Sequence, residues 1–236
     1  MQMQFLTIPV DEAAVWPKST SGDALQDKVY RHIIYLLTSG YFRPGETLSL
    51  RQLSSALNVS ETPVRNALNR LLAENALDVL PNRHVMVPLL TRPRFDEIMD
   101  LRKLIEPEIA VHSYRRTTRA DIARLEDINN RLLEAIASRK LHRCVALNQL
   151  FHLTFYELAD RPLTFHMIWQ MWLRSGAFMF TTLLSDDITW RAEQHEMLIE
   201  GLKMKDMDAC VQAIHDDVSE TYKAIIRLPN PRLFAT

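Results

Sequence analysis

Apolar residues recur every three or four positions from Leu25 almost to the C-terminus, with one interruption between Leu77 and Val87 where the period shortens to two. A period near 3.6 commits a chain to helices and a period of two to strands. The expectation is a mainly α protein with one short β-hairpin. The glycines narrow this further. Only Gly22, Gly40, Gly45, Gly176 and Gly201 are present among 236 residues, so no G-x-G-x-x-G dinucleotide loop and no G-x-S-x-G nucleophile elbow can be written. The stretch from Gly40 to Thr47 carries Glu46 where a phosphate loop needs lysine.

Compartment follows from what is missing. Cys144 and Cys210 sit inside apolar helical patterns and read as buried free thiols rather than a disulfide framework. No run of about 18 uncharged apolar residues is present. The N-terminal stretch has Asp11 and Glu12 but no basic start, unlike a secretory signal. A cytoplasmic protein without a membrane span is expected. The net charge of −1 is unevenly spread: residues 21–94 carry nine basic against six acidic side chains, and residues 95–236 eighteen against twenty-one. That asymmetry is too mild to decide a partner by itself.

Residues 1–20 contain Pro9, Pro17, Ser19 and Thr20 without sustained periodicity and read as a mobile arm. Leu25, Val29, Ile33, Leu36 and Leu37 then mark a helix, with Ser21 or Asp23 as N-cap and Gly40 as its stop. Arg43-Pro44-Gly45 is a turn. Leu50, Leu53 and Leu57 mark a second, short helix ending near Asn58. A third opens at Ser60, whose hydroxyl is expected to cap it, with Pro63 in the first turn and Val64, Ala67, Leu68, Leu71 and Leu72 on the buried face. Leu77, Val79, Val85 and Val87 alternate across two strands joined by Pro81-Asn82-Arg83-His84. Three helices followed by a hairpin is the order of a winged helix-turn-helix, here assigned to residues 21–90.

Thr91-Arg92-Pro93-Arg94 is polar and is taken as the domain boundary. Beyond it, residues 95–228 read as an all-α antiparallel bundle of about six helices. Ile98, Leu101, Leu104 and Ile105 open the first, which Pro107 should kink or interrupt. Ile122 to Ile136 and Val145 to Leu158 give clean stripes. Residues 163–184, 189–204 and 206–227 supply the rest, with Trp169, Trp172, Phe178, Met179 and Phe180 as core or dimer surface rather than a ligand cage.

The segment from Leu25 to Val87 resembles the DNA-binding domain of the GntR family of bacterial transcription regulators. The carriers are "GYFRPGETLSLRQLSSALNVSETPVRNALNRLLAENAL" and "LPNRHVMV". The remainder, from about Phe95 to Arg227, is similar to the all-helical FCD domain of the FadR-like subfamily, through "LRKLIEPEIA", "NQLFH" and "HEMLIEGLKMKDMDAC". The first resemblance implies operator contacts from Arg51, Ser60, Glu61, Thr62 and Arg65, with Arg83 at a hairpin tip that enters the minor groove. Independently of any family, a helix opening at Ser60 offers backbone N–H groups and a positive dipole end to phosphate, and arginine forks suit phosphate or guanine. Glu61 departs from the basic residue many members carry. It cannot hold phosphate but can accept from cytosine N4, which points to an atypical operator.

Asn148 and His152 are four apart and share one helix face. The second resemblance places a metal-binding set at Asn148, His152, His195 and Asp217, where the usual family pattern is one Asp and three His. Here Asn148 takes the Asp position and Asp217 a His position. Two imidazoles, one carboxylate and a neutral amide suit zinc or nickel; interior histidines bonded to their neighbours are the plain alternative. His215 is roughly 200° around the helix from Asp217 and should face elsewhere. The resemblance also implies that Arg102 receives an effector carboxylate, and Arg174 is a second candidate. Each is equally readable as half of an ion pair, for instance Arg102 with Glu106 one turn on. His195-Glu196 does not begin a metalloprotease motif, because Ile199 stands where the second histidine belongs.

The resulting expectation is a homodimeric transcription regulator, a repressor, that binds double-stranded operator DNA and responds to a small organic acid. Two readings from other classes stand beside it: a metal-dependent enzyme built on the bundle, for which no general base is evident, and a dimeric DNA-binding protein that takes no ligand.

Overall fold

The computed structural model describes residues 25–81, 83–182, 192–228 and 234–235. The arm expected over residues 1–20, the caps at Ser21 and Asp23, Asn82 of the hairpin tip and the first residues of the helix expected at 189–204 lie outside the described residues.

The N-terminal part runs α1 (Leu25–Thr38), β1 (Thr47–Leu48), α2 (Leu50–Leu57), α3 (Glu61–Ala73), β2 (Asp78–Val79) and β3 (Val85–Met86). Helix α1 turns Val29, Ile33, Ile34 and Leu37 inward and stops where Gly40 takes φ 77°. Helix α2 is fixed at both ends: Ser49 accepts from the Gln52 N–H, and Asn58 takes the left-handed conformation with its N–H on the Ser54 and Ser55 carbonyls. Ser60 occupies the N-cap of α3 with extended backbone, but its hydroxyl makes no cap bond, contrary to the sequence reading. Val64, Ala67, Leu68 and Leu71 of α3 pack towards α1 and α2.

The sheet has three strands in the order β1-β3-β2, both pairings antiparallel, with Thr47 opposite Met86 and Val79 opposite Val85. Two residues are too short to show a period, so β1 carried no signal in the sequence. It is held by the turn before it, where the Gly45 N–H donates to the Val87 carbonyl at 3.0 Å with Gly45 at φ 80°.

Among the described residues six helices follow: α4 (Arg92–Arg116), α5 (Arg119–Ala137), α6 (Leu141–Glu157), α7 (Pro162–Thr182), α8 (Glu193–Met204) and α9 (Met207–Ile226). Pro107 does not interrupt α4. One missing backbone hydrogen bond is outweighed because Met99, Arg102 and Glu106 before it and Ile109, Ala110 and Ser113 after it are all buried. Thr118 and Asp121 form a reciprocal capping box at the head of α5. Helix α6 is buried all round from Cys144 to Tyr156, so it is the central rod of the bundle. The core also takes in Trp169, Trp172 and Phe178 of α7. Cys144 and Cys210 are buried and free, and burial pushes their thiols up to about 11 and about 12, leaving them inert at neutral pH. No helix among the described residues is long and apolar enough to cross a membrane.

Candidate metal centre and nucleic-acid interface

Three helices deliver the candidate ligands. Helix α6 carries Asn148 and His152 one turn apart on its inner face, α8 carries His195 in its first turn, and α9 carries Asp217 at mid-length. The ligand atoms of His152, His195 and Asp217 all lie within 4.8 Å of one another. His152 Nε2 is 3.1 Å from His195 Nε2 and 3.2 Å from Asp217 Oδ2. Neighbouring donors in a tetrahedral zinc shell, with bonds of about 2.0–2.1 Å, stand roughly 3.3 Å apart, so the two spacings from His152 match one shell, and the third pair, within 4.8 Å, would draw together on an ion. The histidines are sealed from solvent, while the Asp217 side chain keeps 12% of its surface.

The outer contacts decide what those nitrogens can do. His195 Nδ1 donates to Asn129 Oδ1 at 3.0 Å, and its ring stacks on Phe151 at 3.9 Å. His152 Nδ1 faces the Tyr156 hydroxyl at 3.3 Å. That hydroxyl donates to Glu106 Oε2 at 2.8 Å, so its oxygen is free to accept from the ring. With a single proton on each ring, held at Nδ1 by these contacts, both Nε2 lone pairs turn towards the other ring and the carboxylate. Three acceptors meeting without a donor repel one another. A proton on one imidazole or a cation among all three removes the conflict.

Asn148 adds a second sign of the same need. It is 1% exposed, and both its amide oxygen and its amide nitrogen lack a partner among the described residues. A buried amide left this way costs free energy unless something else occupies the space beside it. The electrostatics agree. Burial, helped by the neighbouring His152, pushes the His195 pKa down to about 3, leaving a neutral imidazole able to ligate. Burial works to raise the Asp217 pKa, but it is held below its ordinary value by the positive charge and hydrogen bond that His152 offers when it carries a second proton, with His195 and Arg102 adding to that field. An ion among the three groups would supply the same positive charge.

Arg102 is fully buried and paired with Glu106 at 2.6 Å, the i+4 partner the sequence offered. Its guanidinium lies over the Trp172 ring at 4.5 Å, and Trp172 Nε1 donates to the same carboxylate at 2.9 Å. Glu106 thus joins Arg102, Tyr156 and Trp172 behind His152. Arg174 does not enter this cluster. It donates to the Asn75 carbonyl and faces Asp78 at 3.7 Å, because α7 directs it towards the turn after α3. His215 is exposed and lies against Asp216, away from the centre. The sequence offered Glu106 only as a partner for Arg102 and Trp172 only as core or dimer surface, and it left Asn129 and Tyr156 unread, since nothing marks any of them as a support until the helices are assembled.

The nucleic-acid candidates lie on the opposite kind of surface. Arg51 on α2, Ser60, Glu61, Thr62 and Arg65 at the start of α3, and Arg83 beside the hairpin tip are all exposed. Arg65 reaches Glu61 at 3.4 Å, with side-chain exposures of 62% and 51%. Asn66 and Asn69 are exposed on the same helix, continuing the polar face begun by Thr62 and Arg65. Asn66 stands four residues after Thr62 and Asn69 four after Arg65, a spacing visible in the sequence, and asparagine amides pair well with adenine edges.

The comparisons with known proteins agree with this anatomy. Residues 25–87 match the family described as bacterial regulatory proteins, gntR family, and residues 97–220 match the FCD domain. The HTH-type transcriptional regulator McbR of Escherichia coli strain K12 is 29% identical over 186 residues, which is 78% of this chain and 84% of that protein. The gluconate operon transcriptional repressor of Bacillus subtilis strain 168 is 25% identical over 197 residues, covering 78% of this chain and 79% of that one. The solved structure of E. coli McbR/YncC superimposes with a TM-score of 0.81 at 26% identity, over 88% of this chain and all of that one. These relatives are transcription regulators and not enzymes. With its winged reading head and its helical C-terminal half both matched, the chain belongs to the GntR family of DNA-binding transcription regulators, in the FadR-like branch that carries an FCD domain.

Proposed function

We propose that this regulator is a homodimeric repressor whose grip on double-stranded operator DNA is governed by its helical half. In this reading residues 21–90 read the DNA, and residues 95–228 dimerise and sense. His152, His195 and Asp217, with Asn148 completing the shell, hold a divalent transition ion, zinc or nickel. Such an ion supplies an electrophilic position that a carboxylate can occupy, with Arg102 beside it already paired with Glu106. One relative is by its name a repressor of a gluconate operon, a sugar-acid system, which supports an organic acid as effector. Dimerisation follows from reach, since one recognition helix spans few base pairs and two related by a twofold read a palindrome. Leu101 and Leu104, exposed on α4, offer apolar surface of the kind such a contact covers.

The convergence of two sealed imidazole lone pairs and a carboxylate carries the metal reading. Its test is elemental analysis of untagged protein with and without chelator, joined to thermal melting. About one ion per chain is expected, and the ion should raise the melting temperature by binding the native state alone. His195→Ala should lose both the ion and that gain. Metal-free protein that melts identically after zinc or nickel is added would sink the site and leave the histidines structural.

A further inference from the structure

The helix that supplies two of the four candidate ligands also holds the reading head. Helix α1 ends at the buried Thr38, followed by the buried Ser39, and their carbonyls are among those a helix C-terminus leaves without an intrahelical donor. Both are met from α6. Gln149 Nε2 donates to the Thr38 carbonyl at 2.9 Å, a fully buried bond. His142 Nδ1 donates to the Ser39 carbonyl at 2.8 Å. The His142 ring is clamped as well, stacked on Tyr41 at 3.9 Å and on Phe180 of α7 at 4.3 Å, within 13° and 3° of parallel.

Helix α7 closes the grip from the other side. A Cβ added at Gly176 would stand 3.2 Å from the Thr38 Cα, and one added at Gly40 would overlap Phe180. The end of α1 therefore sits in a fitted socket. Along α6, His142 and Gln149 are seven residues apart and form one stripe, while Asn148 and His152 form another roughly 90° away around the same rod. At its other flank α1 packs on α3, the helix that carries Arg65.

We infer that His142 and Gln149 are positioning residues that transmit occupancy of the buried centre to the reading head. A rigid rod with ligands on one stripe cannot shift or turn without moving the carbonyl contacts on the other. Occupancy at Asn148 and His152 draws α6 towards α8 and α9. That displacement is delivered to Thr38 and Ser39, and through α1 to α3. The input to this relay rests on the metal proposed for the buried centre, whereas the socket itself stands on the contacts alone.

The test compares wild type with His142→Phe, which keeps a ring for the stack but loses the donor, and with Gln149→Met, which keeps length but not the amide. The probe is zinc ion alone, and the DNA is a duplex selected from random sequence by the wild-type protein. Zinc should change wild-type DNA affinity by about tenfold and alter amide hydrogen exchange over residues 36–41. Both variants should bind zinc as tightly as wild type within a small factor, yet show a zinc-induced change in DNA affinity of less than about twofold. Variants that keep the wild-type response would overturn the inference. So would zinc that binds the wild type but leaves both DNA affinity and exchange at 36–41 unchanged, a result that spares the metal site. Failure of the wild type to bind zinc at all would remove the metal reading and this inference with it. The exchange measurement needs no substitution, so it decides the matter even where a variant folds poorly.

Discussion

The reading head and the buried centre place their candidate residues in opposite ways. In the head, Arg51, Ser60, Glu61, Thr62 and Arg65 lie within fifteen consecutive positions, all exposed, and the fold asks nothing of their side chains. In the centre, His152, His195 and Asp217 come from three helices, and their supports Glu106 and Asn129 from two more. All of these except Asp217 are buried. A surface reader can be exchanged at little structural cost because water is the alternative partner. A buried polar cluster is its own solvent, so each member is held in place by the others and stability and function are inseparable there.

The contrast is broken most forcefully at Glu106. Glu106→Ala leaves the Arg102 charge, the Trp172 N–H and the Tyr156 hydroxyl without their shared acceptor. It should cost about 3–5 kcal/mol in denaturant unfolding, the usual penalty for orphaning a buried charge. A loss under about 1 kcal/mol would mean that water reaches Arg102 and that the centre is not sealed.

Acidity comes next, in protein stripped of metal. His195 stays neutral in the folded chain down to about 3, whereas the unfolded chain takes up that proton near its ordinary value of 6.5. Between the two, the unfolded state binds more protons, so stability rises with pH. It should be fully present above about pH 6.5 and fall as the pH drops towards 3. Asp217, held low, adds a loss of the same sign below the ordinary carboxylate range. Melting temperature against pH in chelator, for wild type and His195→Gln, reads this directly. A wild-type profile as flat as the variant's would show that His195 is not buried neutral.

The head should answer differently. Arg65→Ala is expected to weaken selected DNA by about 1–3 kcal/mol per reading helix, the worth of one forked base contact. Unfolding should move by no more than about 0.5 kcal/mol, as for other exposed sites. Gel-shift titration at fixed salt checks the first figure and denaturation the second. The smallest and sharpest comparison is between two serines at helix starts. Ser49→Ala removes a cap and should cost about 1 kcal/mol of stability. Ser60→Ala removes none and should alter only DNA binding. Equal destabilisation by the two would show that Ser60 caps α3 after all.

Local chemistry explains what could be read in advance. Asn58 after Leu57 and Gly40 after the α1 stripe announced helix ends because each takes a left-handed backbone that few residues accept. Period and turn residues likewise revealed the hairpin, but not β1, which exists only because β3 lies beside it. Pro107 does not break α4 for the converse reason: propensity is local, and the packing that overrides it is not. In the centre, spacing alone joined Asn148 to His152, and only family resemblance joined His195 and Asp217 to them. Nothing in the sequence could single out Asn129, which meets His195 across 66 positions. Arg174 and Arg102 look alike on paper, yet one bridges to the turn after α3 and the other is buried against Glu106.

Helix α6 has a consequence for how this chain can change. Its two working stripes are locked together by helical phase, not by the identity of any one side chain. Substitutions along it alter one stripe at a time. Insertion or deletion of a single residue between His142 and Asn148 would instead rotate everything beyond it by about 100° relative to the turn before, carrying Gln149 off Thr38 and His152 off His195 and Asp217. The length of α6 is therefore a stricter specification than its composition.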